Sequence, residues 1–279
     1  MLSYRHAFHA GNFADVLKHV VLTAAIDYLV AKDKPFCYLE THAGAGSYDL
    51  GSAAAQQKRE FAGGIGLLWG RSDLPAAVAR YLALVREHNG PGRLRHYPGS
   101  PWLAQRLLRP KDRLLLFERH PAEIGPLTAL FAGDRRALVL AEDGFSGLIA
   151  RLPPRERRGL VLLDPSYEVK DDYRRVVETL AQAHRRFATG VYTIWYPVVD
   201  RRRIEAMERA VARSGIRQVQ QVELDLGQGA GRMPACGVLV VNPPWTLAAR
   251  LADTLPWLTQ VLGHQGRGRF VNRELIAEG

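Results

Sequence analysis

A chain of 279 residues, 47% apolar and 24% charged, is sized for one large domain and is too apolar to be mainly disordered. Its longest apolar stretch, Val20 to Val30, is broken by Asp27 and falls short of the ~18 residues that span a bilayer, and the opening MLSYRHAFHAGN has no apolar signal core, so a soluble cytoplasmic protein is expected. The 38 basic against 28 acidic residues give a net charge of +10, which excludes a strongly acidic protein and favours a polyanionic partner.

Of the basic residues 32 are arginine, the better fork for phosphate; genomic base composition also produces such a bias, but it does not explain the net charge. Cys37 and Cys236 sit in apolar segments, which suits a reducing compartment. Neither they nor the nine histidines show metal-binding spacing, so no metal site is expected.

In chain order, Val16, Val20, Ala24 and Tyr28 repeat at helical spacing and predict a helix over Asp15 to Ala31. A strand from Phe36 to Glu40 follows and ends in the turn THAGAG. Glu60 to His88 then reads as helical, with Leu67, Leu68, Val78, Leu82 and Val85 spaced for buried faces. Further strands are expected at Leu114 to Glu118, Ala137 to Leu140, Gly159 to Asp164 and Gly190 to Val199. Val219 to Leu224 with Gly237 to Asn242 reads as a final antiparallel pair. Strands alternating with helices predict an α/β fold with a mostly parallel sheet, one domain over residues 1–279. In a dinucleotide-type fold the ribose-binding acid lies ~20 residues past the glycine turn. Here the candidate, Glu118, lies 72 residues beyond Gly46. That gap predicts an inserted helical subdomain, residues 48–97.

The glycine turn Glu40-Thr41-His42-Ala43-Gly44-Ala45-Gly46 lets backbone approach a nucleotide, although a plain strand-to-helix turn uses the same residues. It lacks the Lys-Ser/Thr of a Walker loop, and no G-x-G-x-x-G marks a dinucleotide site. Two more strands end in acids, LLLFE at Glu118 and ALVLAED at Asp143 beside Gly144. One acid for ribose hydroxyls and one for an adenine amine suit a phosphate-free nucleoside such as S-adenosylmethionine; either acid alone also reads as a helix cap.

Asp164-Pro165-Ser166-Tyr167, closing GLVLLD, resembles the Asp/Asn/Ser-Pro-Pro-aromatic signature of amino-group methyltransferases. An adenine exocyclic amine is a poor nucleophile because its lone pair is delocalised into the ring. Hydrogen bonds to Asp164 and the Pro165 carbonyl favour the pyramidal amine, and Tyr167 offers a ring for a flipped-out base. Asn242-Pro243-Pro244-Trp245 fits the same signature. Order decides against it: Asp164 lies 21 residues beyond Asp143, whereas Asn242 ends an antiparallel strand that points the other way.

The chain as a whole resembles the ribosomal RNA large subunit methyltransferase J family. The resemblance rests on Tyr4 to Asn12, Ala14 to His19, Leu39 to Gly46, Tyr97-Pro98-Gly99-Ser100-Pro101, Arg157 to Leu160, Arg186 to Gly190, Trp195 to Val199 and Val241 to Trp245. It implies a Rossmann-like class I methyltransferase sheet with a helical insertion. It also implies S-adenosyl-L-methionine as cofactor and N6 of one adenine in 23S ribosomal RNA as target, the RNA naked or in an early assembly intermediate, and a monomer acting without a membrane. By the same resemblance His19, His42, Ser100, Glu118, Asp143, Gly144 and Asp164 match cofactor contacts. Asp164 is also the catalytic acceptor, and Tyr4 matches a substrate contact. His6 and Lys18 share the matched opening block and are placed at the active site with Pro165 and Tyr167. Ser166 departs from the family's proline, which frees the turn and bears on rate. A DNA adenine methyltransferase and a non-catalytic basic RNA-binding protein on the same fold remain as alternatives. The runs Arg157-Arg158, Arg185-Arg186 and Arg201 to Arg203 read as solvated faces or as phosphate contacts.

Overall fold

The computed structural model describes residues 4–227 and 233–278. Its first helix, α1 (Phe13–Val30), starts two residues before the expected position because the Asn12 side chain accepts the amides of Ala14 and Asp15. The strand β1 (Cys37–Glu40) follows and is wholly buried. Two short strands, β2 (Ser47–Asp49) and β3 (His96–Pro98), pair antiparallel with Tyr48 opposite Tyr97. Between them lie α2 (Ala53–Lys58), α3 (Ile65–Leu68) and α4 (Ala76–Asn89).

The long helical run expected from Glu60 to His88 is therefore broken. Gly64 is needed at the break: a Cβ there would lie 2.2 Å from the Gly11 carbonyl, which instead accepts the Ile65 amide at 2.8 Å. Leu68, Val78, Leu82 and Val85 are buried as their spacing predicts, but Leu67 is 45% exposed, because α3 is a single turn and presents it outward. The buried side chains of α3 and α4 join the same apolar core as α1.

The chain continues through α5 (Ser100–Leu107), β4 (Arg113–Phe117), α6 (Pro121–Leu130), β5 (Ala137–Leu140), α7 (Gly144–Arg151) and β6 (Gly159–Leu163). Then come α8 (Asp172–Arg186), β7 (Val191–Val198), α9 (Arg201–Arg213), β8 (Val219–Asp225), β9 (Ala235–Val241), α10 (Leu247–Leu262) and β10 (Arg269–Ile276). Eight strands form one sheet in the order β10-β8-β9-β7-β6-β1-β4-β5. The five from β7 to β5 run parallel, while β9 is antiparallel to both β7 and β8. The pair β8 and β9 is thus antiparallel as expected, but it is not final. β10 adds antiparallel to β8, and its sequence RFVNRELI hides it by placing charged and polar residues on an exposed edge.

One core packs α1, α4, α5 and α10 on one face of the sheet; a second packs α7, α8 and α9 on the other. β1 pairs with β4 on one side and β6 on the other, so strand order reverses there. In open α/β sheets ligands bind outside the carboxyl ends of the strands at such a reversal.

Candidate active site

A cleft of about 1690 Å³ opens over the carboxyl ends of β1, β4, β5 and β6. It exceeds the ~300–1,000 Å³ of ordinary small-molecule sites and so has room for more than one ligand. Every candidate residue named from the sequence lines it: Tyr4, His6, Lys18 and His19 from the amino-terminal side, His42, Ser100 and Glu118, Asp143 with Gly144, and Asp164, Pro165 and Tyr167.

On the β1–β5 side the glycine turn is shaped by two left-handed residues, Gly44 (φ 61) and Gly46 (φ 77). The Gly44 amide donates to Glu118 at 2.7 Å, and the His120 amide donates to the other Glu118 oxygen at 2.6 Å. Burial raises the Glu118 carboxyl above its ordinary range. Asp143 does cap α7, accepting the Ser146 amide, and its second oxygen pairs with Arg175 at 3.2 Å. Burial alone would raise the Asp143 carboxyl, but these bonds outweigh it and hold it below the usual carboxylate value.

His42 packs edge-on against Phe145, and burial lowers it to about 4, so the ring is neutral at pH 7. His19, lowered by burial to about 3, bonds through Nδ1 to the Tyr97 hydroxyl, while its buried Nε2 has no partner among the described residues. Ser100 starts α5 and donates to Glu40, which also accepts from the Tyr38 hydroxyl. Burial pushes Glu40 up to about 8.

On the β6 side a continuous polar chain runs through the site. The Tyr4 hydroxyl lies 2.8 Å from His6 Nδ1, and His6 Nε2 lies 2.9 Å from Asp15 Oδ2. Asp15 Oδ1 meets Lys18 Nζ at 2.9 Å, and the same ammonium meets Asp164 Oδ2 at 2.6 Å. Burial would favour neutral forms of both Asp15 and Lys18. Instead their mutual charges, with His6 beside Asp15 and Asp164 beside Lys18, hold Asp15 well below and Lys18 well above their ordinary values. The pair is therefore ionic, and Asp164 sits against a fixed cation. Asp164 Oδ1 has no donor among the described residues.

Sequence reasoning passed over Asp15. It is 2% exposed and is the hub of that chain, also accepting the Gly11 amide. Its only sequence signal is a charge on a helix face that also carries Lys18 and His19, three and four residues on. Trp195, whose ring lies 5.9 Å from Lys18 Nζ, and Arg175, 4.5 Å from the Phe145 ring centre, also line the cleft. The Tyr167 ring reaches the cleft but is only 8% exposed, packed on Tyr173 and Trp195, with its hydroxyl donating to the Trp195 carbonyl. Tyr167 is left-handed at φ 55, and the Ser166 hydroxyl accepts the Glu168 amide across this turn.

Asn242 stands away from the cleft and binds the carbonyls of Ala188 and Gly190, each at 2.7 Å. Two of the arginines in the runs are structural: Arg158 donates to the Leu29 and Lys34 carbonyls, and Arg201 pairs with the buried Glu223. Arg203 alone of those runs lines the cleft.

An open α/β sheet with this strand order, acids at the strand ends and a Pro-aromatic turn above β6 defines a class I Rossmann-like methyltransferase. The family model described as "Ribosomal RNA large subunit methyltransferase D, RlmJ" matches residues 33–274. The chain is 49% identical to the Escherichia coli (strain K12) ribosomal RNA large subunit methyltransferase J over 280 residues, covering all of both chains. It is 46% identical to the protein of the same name from Haemophilus influenzae, covering 97% of each. The crystal structure of protein LPL1258 from Legionella pneumophila superposes with a TM-score of 0.90 at 38% identity, covering 95% of this chain and 98% of that one. The chain belongs to the RlmJ family of ribosomal RNA large subunit methyltransferases. The cleft fits a methyl-donor cofactor, since the buried His19 Nε2 needs a partner and Glu118 keeps free lone pairs at the glycine turn.

Proposed function

We propose that the protein methylates the exocyclic amine, N6, of an adenine in 23S ribosomal RNA, with S-adenosyl-L-methionine as the methyl donor. The observation that carries this reading is Asp164: a carboxylate at the end of β6, tied through one oxygen to Lys18 and open to the cleft through the other. S-adenosylmethionine, when bound, supplies an electrophilic methyl group on a sulfonium. Glu118 and the glycine turn would hold its ribose, Asp143 and His42 its adenine side, and His19 and Ser100 its amino-acid end.

The reaction then needs a localised lone pair on the amine. Asp164 Oδ1 and the Pro165 carbonyl accept its two N–H groups, and charge-assisted bonds of ~1.5–3 kcal/mol correspond to ~10- to 150-fold each. Lys18 holds Asp164 through Oδ2 and leaves Oδ1 to accept from the amine. Transfer would break the methyl–sulfonium bond, leaving a neutral thioether, and the amine, made cationic by the new N6–C bond, would lose one proton, for which Asp164 is the adjacent acceptor. The remaining rate enhancement comes from alignment inside the cleft. Lys58, Arg59, Arg119 and Lys170 lie exposed along the cleft, in keeping with a polyanionic substrate and the net charge of +10. We place the reaction in the cytoplasm, on RNA either naked or early in assembly, by a monomer.

Methyl transfer from labelled S-adenosylmethionine, offered in parallel to ribosomal RNA, DNA and total protein, tests the reading. Label is expected in RNA from the large subunit. Label in DNA alone points to a DNA adenine methyltransferase, and RNA binding without label points to a non-catalytic protein; either overturns the proposal.

A further inference from the structure

Six large apolar side chains are exposed among the described residues, and two of them, Val169 (56%) and Val199 (71%), line the cleft. Each is paired with a cation that lines it too. Lys170 follows Val169 directly, is exposed and forms no ion pair among the described residues; Arg203 lies in the first turn of α9, just beyond Val199. The only ion pair of Arg203 among the described residues is with Asp200 at 3.3 Å, in a half-exposed setting where such a pair contributes little and yields readily to a phosphate.

The two loops are stitched into one lip. Tyr173 donates to the Pro197 carbonyl at 3.4 Å, and Tyr167 donates to the Trp195 carbonyl at 2.7 Å. The acids nearby are already engaged: Glu168 accepts the Tyr4 amide, and Asp171 pairs with Arg174. Solvent-facing valines next to available cations, on the rim beside Asp164, match a nucleotide, which has an apolar base face and an anionic phosphate. A duplex would keep that face stacked and hidden.

Resting on the adenine-N6 reading, we infer that this lip holds an unpaired nucleotide flanking the target adenine, its base against Val169 and Val199 and its phosphate on Lys170 and Arg203. The substrate is then a locally single-stranded segment, and two kinds of interaction are separable at the lip. Removing the cations changes both affinity and salt dependence, whereas removing the apolar surface under the base changes affinity alone.

The experiment compares steady-state methyl transfer to 23S ribosomal RNA purified from a strain lacking the enzyme. The wild type, Lys170→Ala/Arg203→Ala, Val169→Ala/Val199→Ala and Arg209→Ala/Arg213→Ala are assayed over a salt series. The last pair removes the same charge from α9, at residues that do not line the cleft. The lip cation variant is expected to raise KM for RNA roughly 10-fold and to lower the salt slope by ~0.7 for each phosphate no longer neutralised, with cofactor affinity unchanged. The valine variant is expected to raise KM several-fold at an unchanged slope. The α9 control is expected to behave as the wild type.

Unchanged KM and slope in both lip variants of an active enzyme overturn the inference, as does a control as impaired as the lip cation variant. A wild type that transfers no methyl group to RNA instead removes the reading on which the inference rests.

Discussion

Replacing Lys18 by methionine keeps the aliphatic stem and removes the charge between two carboxylates. Its ammonium lies 2.9 Å from Asp15 and 2.6 Å from Asp164, so the two acids approach to within ~5.5 Å. At that separation and an effective dielectric of ~20, two like charges repel by ~3 kcal/mol. A penalty of that size on holding Asp164 in place corresponds to ~100-fold in rate. Asp15 keeps His6 and the Gly11 amide as partners, whereas Asp164 is deprived of the only ion pair it makes among the described residues. Asp164 is therefore the carboxylate that moves, and an Asp164 turned away from Asp15 is a poor acceptor for the amine.

In Lys18→Met, kcat should fall up to ~100-fold, while cofactor affinity stays within about threefold. Single-turnover methyl transfer, with calorimetric titration of the cofactor, measures both. Breaking a buried pair also costs ~3–5 kcal/mol, so thermal melting must show the variant folded at the assay temperature. A folded variant with wild-type kcat would refute the role given to Lys18.

Glu118→Ala should weaken S-adenosylmethionine binding ~10- to 100-fold by calorimetry, through loss of charged hydrogen bonds; unchanged affinity would remove β4 from the cofactor site. Asp164→Ala should abolish methyl transfer, whereas Asn242→Ala, losing two bonds to carbonyls, should cost ~1–3 kcal/mol in denaturant melts and retain kcat. Glu40 holds its proton up to about pH 8 when folded, against an ordinary value of 4.5, so its contribution to stability is full below 4.5 and is lost as pH rises through 8. Glu40→Gln should therefore shrink the difference between urea midpoints at about pH 5 and pH 8; an undiminished difference would show that another group governs it.

The parallel strands were legible because buried runs such as LLLFE and GLVLLD end abruptly in an acid, which marks both the strand and its carboxyl end. Strand order alone separated the Asp164 turn, which lines the cleft, from Asn242, which does not. In the structure Asn242 instead ties β9 to the carbonyls before β7. Asp15 was not legible, since an Asp and a Lys three apart on a helix look like an exposed pair until the amino-terminal segment is seen to bring His6 onto them. The same limit hid the division among the arginines. Arg158 and Arg201 satisfy carbonyls and a buried acid that come from distant parts of the chain, and of the arginine runs only Arg203 reaches the cleft. β10 escaped because an exposed edge strand carries no apolar alternation. The break inside the expected long helix depended on a tertiary contact, Gly64 against Gly11.

In the proposed reaction Asp164 directs a methyl group to an adenine amine in 23S ribosomal RNA. The most direct measurement is mass spectrometry of nucleosides from 23S ribosomal RNA of a deletion strain, before and after incubation with the purified protein and S-adenosylmethionine. The expected product is N6-methyladenosine, about one per RNA molecule, at a single position and absent with Asp164→Ala. A methyl group on a ring carbon, a ribose hydroxyl or another base, or N6-methyladenosine formed equally well by Asp164→Ala, would contradict it.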